Sequence, residues 1–238
     1  YTTLSSSSLT VIPLFVFMGQ NAFHPNISRH LFQAAYQWLG PLPGGLAMAT
    51  VGACTGFGAS CGSGPATAAT MASVALPEMK RYNYDLELGG GAVAAGGSLG
   101  MLIPPSVVFV GYAIMTEQSI GKLFLAGIIP GLLSAILFCL TIYLNSTLHP
   151  HLGPLGPKTS WRDKFLSLGG VGETLILFIA VMGGMFWGLF TPTEAAAVGA
   201  AGSLLIALVK RQLTWGKLAR ALLETVRTSC MVMIIVAG

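Results

Sequence analysis

Two apolar runs in the first half of the chain are broken by glycine, serine and proline where a membrane helix would stay continuous. Residues 55–79 read TGFGASCGSGPATAATMASVALPEM, and residues 89–105 read GGGAVAAGGSLGMLIPP. In hydrocarbon an unsatisfied backbone N–H or C=O costs several kcal/mol. Breaks at that depth therefore survive only inside protein or beside a water-filled cavity. The two breaks, 60–67 and 96–106, are expected to meet a ligand or ion with freed carbonyls and hydroxyls.

The rest of the chain is what such breaks need around them. Hydrophobic residues make up 53% and charged residues 8%, and mean hydropathy is +0.74. A soluble domain is about 25% charged. The apolar runs are continuous rather than alternating, which excludes a closed barrel. The fold class expected is all-α: a polytopic membrane protein with a re-entrant helical hairpin and a discontinuous helix.

Residues 44–59 and 66–79 are each too short to cross about 30 Å at 1.5 Å per residue. Joined by SCGSGP they fit a re-entrant hairpin spanning 44–79; two short tilted spans are the alternative. Residues 89–115 read as one span interrupted at Pro104-Pro105, since proline removes a donor and clashes with the preceding turn. Before these lie a short apolar run, 9–23, and a polar arm with an amphipathic helix near 31–39, where Tyr36 and Trp38 suit a membrane interface. After them come a span at 123–144 with a kink at Pro130, and a loop at 145–167. A further span at 171–190 follows, then a helix capped by Thr191 and Pro192. Residues 210–228 read as a basic interfacial helix, and the last ten residues as the start of another span. The organisation expected is a scaffold helix and arm (1–43), a transport-type unit (44–115) and further scaffold helices (116–238). The chain begins at Tyr1 and stops within an apolar run, so it reads as a fragment.

Charge gives the orientation. With a hairpin at 44–79 and paired crossings after it, Arg29, Lys80, Arg81, Lys158, Arg162, Lys164, Lys210, Arg211, Lys217, Arg220 and Arg227 share one face. Lys122 lies opposite. The positive-inside rule makes the shared face cytoplasmic. The net charge of +4 is thus a topology signal, not a nucleic-acid one.

The breaks offer neutral oxygens: the hydroxyls of Ser60, Ser63 and Thr67, and carbonyls near Gly62 and Gly64. The second break adds Gly97, Ser98, Gly100 and the carbonyls before Pro104 and Pro105. A hard monovalent cation such as Na⁺ accepts such ligands; the competing role is close helix packing by small residues. Neither break contains a carboxylate or histidine. Glu194, at the start of a span, is a candidate ionisable residue or a partner of its helix dipole. His24, His30, His149 and His151 fall in expected loops, so Ser63 has no base and an enzyme is not expected. Cys54, Cys61, Cys139 and Cys230 lack metal-type spacing and read as packing residues. There is no phosphate-binding loop.

Four stretches, IPLFVFMG (12–19), GAVAAGGSLGMLIPPS (91–106), SIGKLFLAGIIPGLL (119–133) and FTPTEAAAVGA (190–200), resemble the large (DctM-type) membrane subunit of a tripartite ATP-independent periplasmic (TRAP) transporter. The resemblance runs from about residue 9 to the end. It implies a multi-pass protein of the bacterial inner membrane, of the ion-transporter superfamily, built from inverted repeats and working by an elevator-type motion. It further implies Na⁺-coupled import of a carboxylate-containing organic solute. The partners implied are a small (DctQ-type) membrane subunit and a periplasmic (DctP-type) solute-binding protein.

On that resemblance the Na⁺ site takes Ser60, Gly62, Ser63, Gly100, Ile103 and Pro105. The substrate side takes Ser63, Thr67, Gly97, Ser98, Pro104 and Ser106. The tip sequence SCGSGPAT departs from the SGSSAAT-like run common in the family, at Cys61 and Pro65. The chain is expected to carry the first repeat and the start of the second, about half a transport domain. Two other readings stay open: a binding-protein-independent sodium/organic anion symporter of the same superfamily, and a non-transporting membrane assembly subunit.

Overall fold

The computed structural model describes residues 10–22, 25–156, 160–210 and 214–237. Among these residues every regular element is helical. The elements are α1 (Val11–Ala22), α2 (Pro25–Leu39), α3 (Gly45–Cys61), α4 (Gly64–Arg81), α5 (Leu86–Leu102) and α6 (Val107–Met115). They continue with α7 (Ile120–Leu148), α8 (Trp161–Gly169), α9 (Gly172–Phe178), a π turn (Ile179–Gly183), α10 (Gly184–Phe186), α11 (Pro192–Val209) and α12 (Trp215–Ala237). His24, Lys158 and Arg211, which the sequence places in loops, lie outside the described residues.

The hairpin is identified by its ends. At 17 residues α3 is about 25 Å long, short of a full crossing, and only Gly62 and Ser63 separate it from α4. The first turn of α3 and the chain leaving α4 meet again through Tyr84. Its hydroxyl accepts from the Leu46 N–H (3.2 Å) and donates to the Pro154 carbonyl (2.7 Å). Around it Gly44 N–H donates to the Gly153 carbonyl and Asp85 N–H to the Leu152 carbonyl, each at 3.1 Å. Both ends of the hairpin, the start of α5 and the end of α7 therefore share one side. Burial pushes the Tyr84 phenol pKa up, partly opposed by the Leu46 amide, so it stays a protonated donor.

From that side α5 and α6 cross as a span bent by 43°, and α7 returns as a 29-residue apolar helix. The next pair also closes on itself, because Lys210 at the end of α11 forms an ion pair with Glu173 at the start of α9. The chain is a polytopic membrane protein by these lengths and pairings. One core joins α3, α4 and α5 with α2 and includes Phe57, Met71, Met79 and Leu99. A second joins α1, α6, α7 and α11 around Phe15, Val110, Phe124 and Met182.

Several local expectations are corrected. The polar arm is helical from Pro25, so His30 lies on α2 rather than in a loop. The loop expected at 145–167 is shorter, because α7 runs on to Leu148 and α8 begins at Trp161. Pro130, where a kink is expected, lies inside the single helix α7. The basic segment and the expected final span form one helix, α12. Its buried Ala221, Thr225 and Ser229 keep a four-residue spacing through the expected boundary, and no glycine or proline falls from Ala221 to Ala237. Arg227 lies within this helix, as expected, and pairs with Glu224.

Tyr84→Phe keeps the ring and removes the two hydroxyl bonds of the clasp. We expect it to lower stability by about 1–3 kcal/mol, because the Leu46 amide and Pro154 carbonyl lose their partner. Unfolding followed by circular dichroism in detergent checks this, and parent-like stability would show that the clasp does not hold the hairpin.

Candidate functional site

Both breaks are narrower than their sequence, and they are built against each other. The first consists of Gly62 and Ser63 alone, so Ser60 belongs to α3, and Pro65 and Thr67 to α4. The second spans 103–106, with Gly96, Gly97, Ser98 and Gly100 inside α5. Glycine-rich sequence here serves close helix approach more than unwinding. A Cβ on Gly58 would stand 2.7 Å from the Gly100 Cα, and one on Gly97 would stand 2.7 Å from the Ala68 Cβ. α5 is thus drawn into the groove between α3 and α4.

Gly62 is different, because its conformation as well as its space demands glycine. It ends α3 at φ +64°, its N–H donates to the Gly58 carbonyl at 2.8 Å, and a Cβ would fall 2.5 Å from the Pro105 carbonyl. Its own carbonyl accepts from the Val107 N–H, the first of α6, at 3.4 Å. The hairpin tip thereby satisfies a donor that the second break leaves open.

Proline explains which carbonyls are released. In an α-helix each carbonyl accepts from the N–H four residues on. Pro104 and Pro105 have no N–H, so the carbonyls of Gly100 and Met101 lose their helical donors. Ser106 Oγ replaces one by donating to Met101 at 2.6 Å. The Cys61 carbonyl, in the last turn of α3, is left free by the left-handed turn at Gly62, and Gly19 of α1 packs against that oxygen. The Gly100 and Cys61 carbonyls are two of the helix-end oxygens left free by the breaks.

The hydroxyls divide into two kinds. Thr67 donates to the Ser63 carbonyl at 2.7 Å, Ser98 to Ala95 at 2.6 Å and Ser60 to Gly56 at 3.5 Å. Each keeps lone pairs for a cation after spending its proton. Ser63 Oγ, half-buried at the N-cap of α4, makes no cap bond and has no hydrogen-bond partner among the described residues. Ser60 and Pro105 line a cleft of about 10 Å³ with Met18, Leu177, Phe178 and Val181, about the space one water fills.

The structure brings together Gly62, Ser63, Thr67, Gly97, Gly100 and Pro105, and sets Ser60 across the small cleft from Pro105. Ser106 belongs to the same junction through its neighbour Pro105 and lies fully buried. Ser98 lies off the face that carries Gly97 and Gly100. The Ile103 side chain packs against Gly131 of α7 and joins the core cluster of the hairpin helices; Pro104 is buried. The residues missed by sequence reasoning are Gly19, Gly58 and the Val107 amide. The repeated spacing of small residues could have indicated Gly58, but nothing local marks the others.

Other candidates resolve into structural roles. Glu194 closes a capping box, accepting from Thr191 N–H and Oγ1 at 2.8 Å each while its own N–H donates back to Thr191 Oγ1. His149 and His151 face each other beyond the end of α7, on the hairpin-base side and away from Ser63. The four cysteines are free. Among the described residues no group of three His, Cys, Asp or Glu is placed to hold a metal, so a cation here would rely on neutral oxygens. Gly62→Ala should cost at least about 1–2 kcal/mol from its left-handed backbone alone. Ser63→Ala should change stability by less than about 0.5 kcal/mol. Paired thermal unfolding of the two variants tests this division, and equal losses would refute it.

Comparison with known proteins agrees with this architecture. The family model described as "Tripartite ATP-independent periplasmic transporter, DctM component" matches residues 1–238. The C4-dicarboxylate TRAP transporter large permease protein DctM of Pseudomonas aeruginosa is 39% identical over 239 residues, covering 100% of this chain and 56% of that protein. The isethionate TRAP transporter permease protein DctMQ of Oleidesulfovibrio alaskensis is 37% identical, over 100% of this chain and 37% of its own length. The sialic acid TRAP transporter large permease protein SiaM of Vibrio cholerae is 34% identical, over 99% and 55% respectively. The chain spans about half the length of most of the curated relatives it matches. These relatives are named as permeases, not enzymes. The chain belongs to the DctM family of TRAP transporter large permease subunits.

Proposed function

We propose that this chain forms the first ion site, and one wall of the substrate pocket, of a Na⁺-coupled permease that imports a carboxylate-containing organic solute. The observation that carries the reading is the junction of the two breaks, where Gly62 meets Pro105 and Gly100 meets Ser63 and Thr67. It gathers freed carbonyls, hydroxyl lone pairs and the unpartnered Ser63 hydroxyl. Neutral oxygens in this arrangement suit a hard monovalent cation. Ser60, Gly62, Ser63, Gly100 and Pro105 would hold it, Ile103 through its backbone alone. Thr67, Gly97, Pro104 and Ser106 would form the substrate-facing set, with Ser98 off the face that Gly97 and Gly100 share.

A bound cation would place positive charge at a site otherwise built from neutral groups, and so favour an organic anion beside it. The names of the relatives, C4-dicarboxylate, isethionate and sialic acid among them, support a small organic solute. We place the subunit in the bacterial inner membrane with a small DctQ-type membrane subunit. A DctP-type periplasmic protein delivers the solute, and the hairpin and α5–α6 move together in an elevator-type step.

The test is thermal stability of the intact subunit with its small partner, in NaCl against choline chloride at equal ionic strength. A ligand that binds only the folded state raises stability by mass action, by about 2.7 kcal/mol at a hundred times its Kd. We expect a Na⁺-specific rise that shrinks in Ser60→Ala and in Ser63→Ala. No rise under conditions of active uptake would remove the ion from this junction, and uptake unchanged without Na⁺ would end the coupling reading.

A further inference from the structure

α8 is a nine-residue helix, WRDKFLSLG, in which no residue is buried. It leaves Trp161, Phe165 and Leu166 more than 60% exposed. Its companion is α2, whose Trp38 meets Trp161 edge-on at 6.5 Å and Phe165 edge-on at 6.1 Å between centroids. Lys164 lies across both indoles, its Nζ 5.0 Å from the Trp161 ring and 5.7 Å from the Trp38 ring. No carboxylate among the described residues lies within ion-pair distance of Lys164, Arg162 or Arg29. The only acid on α8 is Asp163.

The location of this cluster follows from the fold. Gly156 N–H donates to the Gly40 carbonyl, which ties the approach to α8 to the end of α2. Tyr36 of α2 lies 6.1 Å from Tyr82 at the foot of the hairpin, next to Arg81 over the Tyr82 ring. The cluster therefore belongs to the hairpin-base side, the face that carries the excess of Lys and Arg. Exposed indoles prefer the headgroup level of a bilayer. A cation held over two rings gives up little further freedom when it meets an anion.

We propose that Trp38, Trp161 and Lys164 form a docking site for the phosphate of an anionic glycerophospholipid in the cytoplasmic leaflet. The Lys164 ammonium and the two indole N–H groups supply the donors. Phe165 and Leu166 enter the acyl boundary beside them, and Arg29 and Arg162 add to the positive field. The occupant is a lipid rather than a protein surface because the cluster joins unpaired cations to apolar rings at one edge of a membrane-spanning fold. A bilayer with anionic headgroups complements both properties at once.

The experiment uses the intact subunit in phosphatidylcholine bilayers, with every tryptophan except Trp38 and Trp161 replaced by Phe. Quenching is compared between dibromo-phosphatidylglycerol and dibromo-phosphatidylcholine at equal mole fraction. A cation at the surface enriches anionic lipid about fivefold. We expect phosphatidylglycerol to quench more strongly, Lys164→Gln to cut that preference about fivefold, and Lys164→Arg to retain it. Raising salt from about 0.05 to about 0.5 M should erase most of the preference, a readout that holds even if Lys164→Gln does not fold. Equal quenching by the two lipids, or a preference untouched by Lys164→Gln and by salt, would overturn the proposal. Quenching by neither lipid would overturn it too, since another protein surface would then cover the rings.

Discussion

A backbone that unwinds in an apolar surrounding must find partners for its own polar groups, and this requirement shapes the centre of the molecule. Three prolines, Pro65, Pro104 and Pro105, withdraw N–H groups at neighbouring places. One bond crosses between the two breaks and another closes inside the second. Gly62 supplies a carbonyl to the Val107 amide, and Ser106 supplies a hydroxyl to the Met101 carbonyl. Neither break would be satisfied alone. The oxygens left over are confined to a small neutral region between helices that touch almost backbone to backbone.

That closeness depends on small residues in three helices. Gly58 admits Gly100, Gly97 admits Ala68 and Gly19 admits the Cys61 carbonyl. The same glycines weaken their helices intrinsically, by roughly 0.5–1 kcal/mol each relative to alanine. Packing must supply that loss. Large buried residues such as Phe57, Met71, Met79 and Leu99, all essentially inaccessible, surround the glycine-lined contact and provide it.

Much of this was legible in the sequence, and the shortfalls share a cause. Length against bilayer thickness left a hairpin or two tilted spans, and Pro104-Pro105 located the bend between α5 and α6. The extent of each break was overestimated because glycine was read as a sign of unwinding. In α5 the glycines at 96, 97 and 100 stay helical and make room for neighbours. Which residues meet across the junction depends on how α5 rotates in the hairpin groove, so Ile103 turns toward α7 while Gly100 turns toward Thr67. The Tyr84 clasp lay in an ordinary polar turn, and only the return of α7 gives it a partner.

That clasp has mechanical meaning. Four hydrogen bonds, from Gly44, Tyr84 and Asp85 to residues 152–154 and from Gly156 to Gly40, tie the foot of the hairpin and the end of α2 to the segment that leaves α7. Broken together they would cost about 2–6 kcal/mol, more than ordinary thermal fluctuation supplies. Residues 149–156 thus work as a short tether. Any displacement of the hairpin relative to the end of α7 would have to break these bonds or carry the end of α7 along.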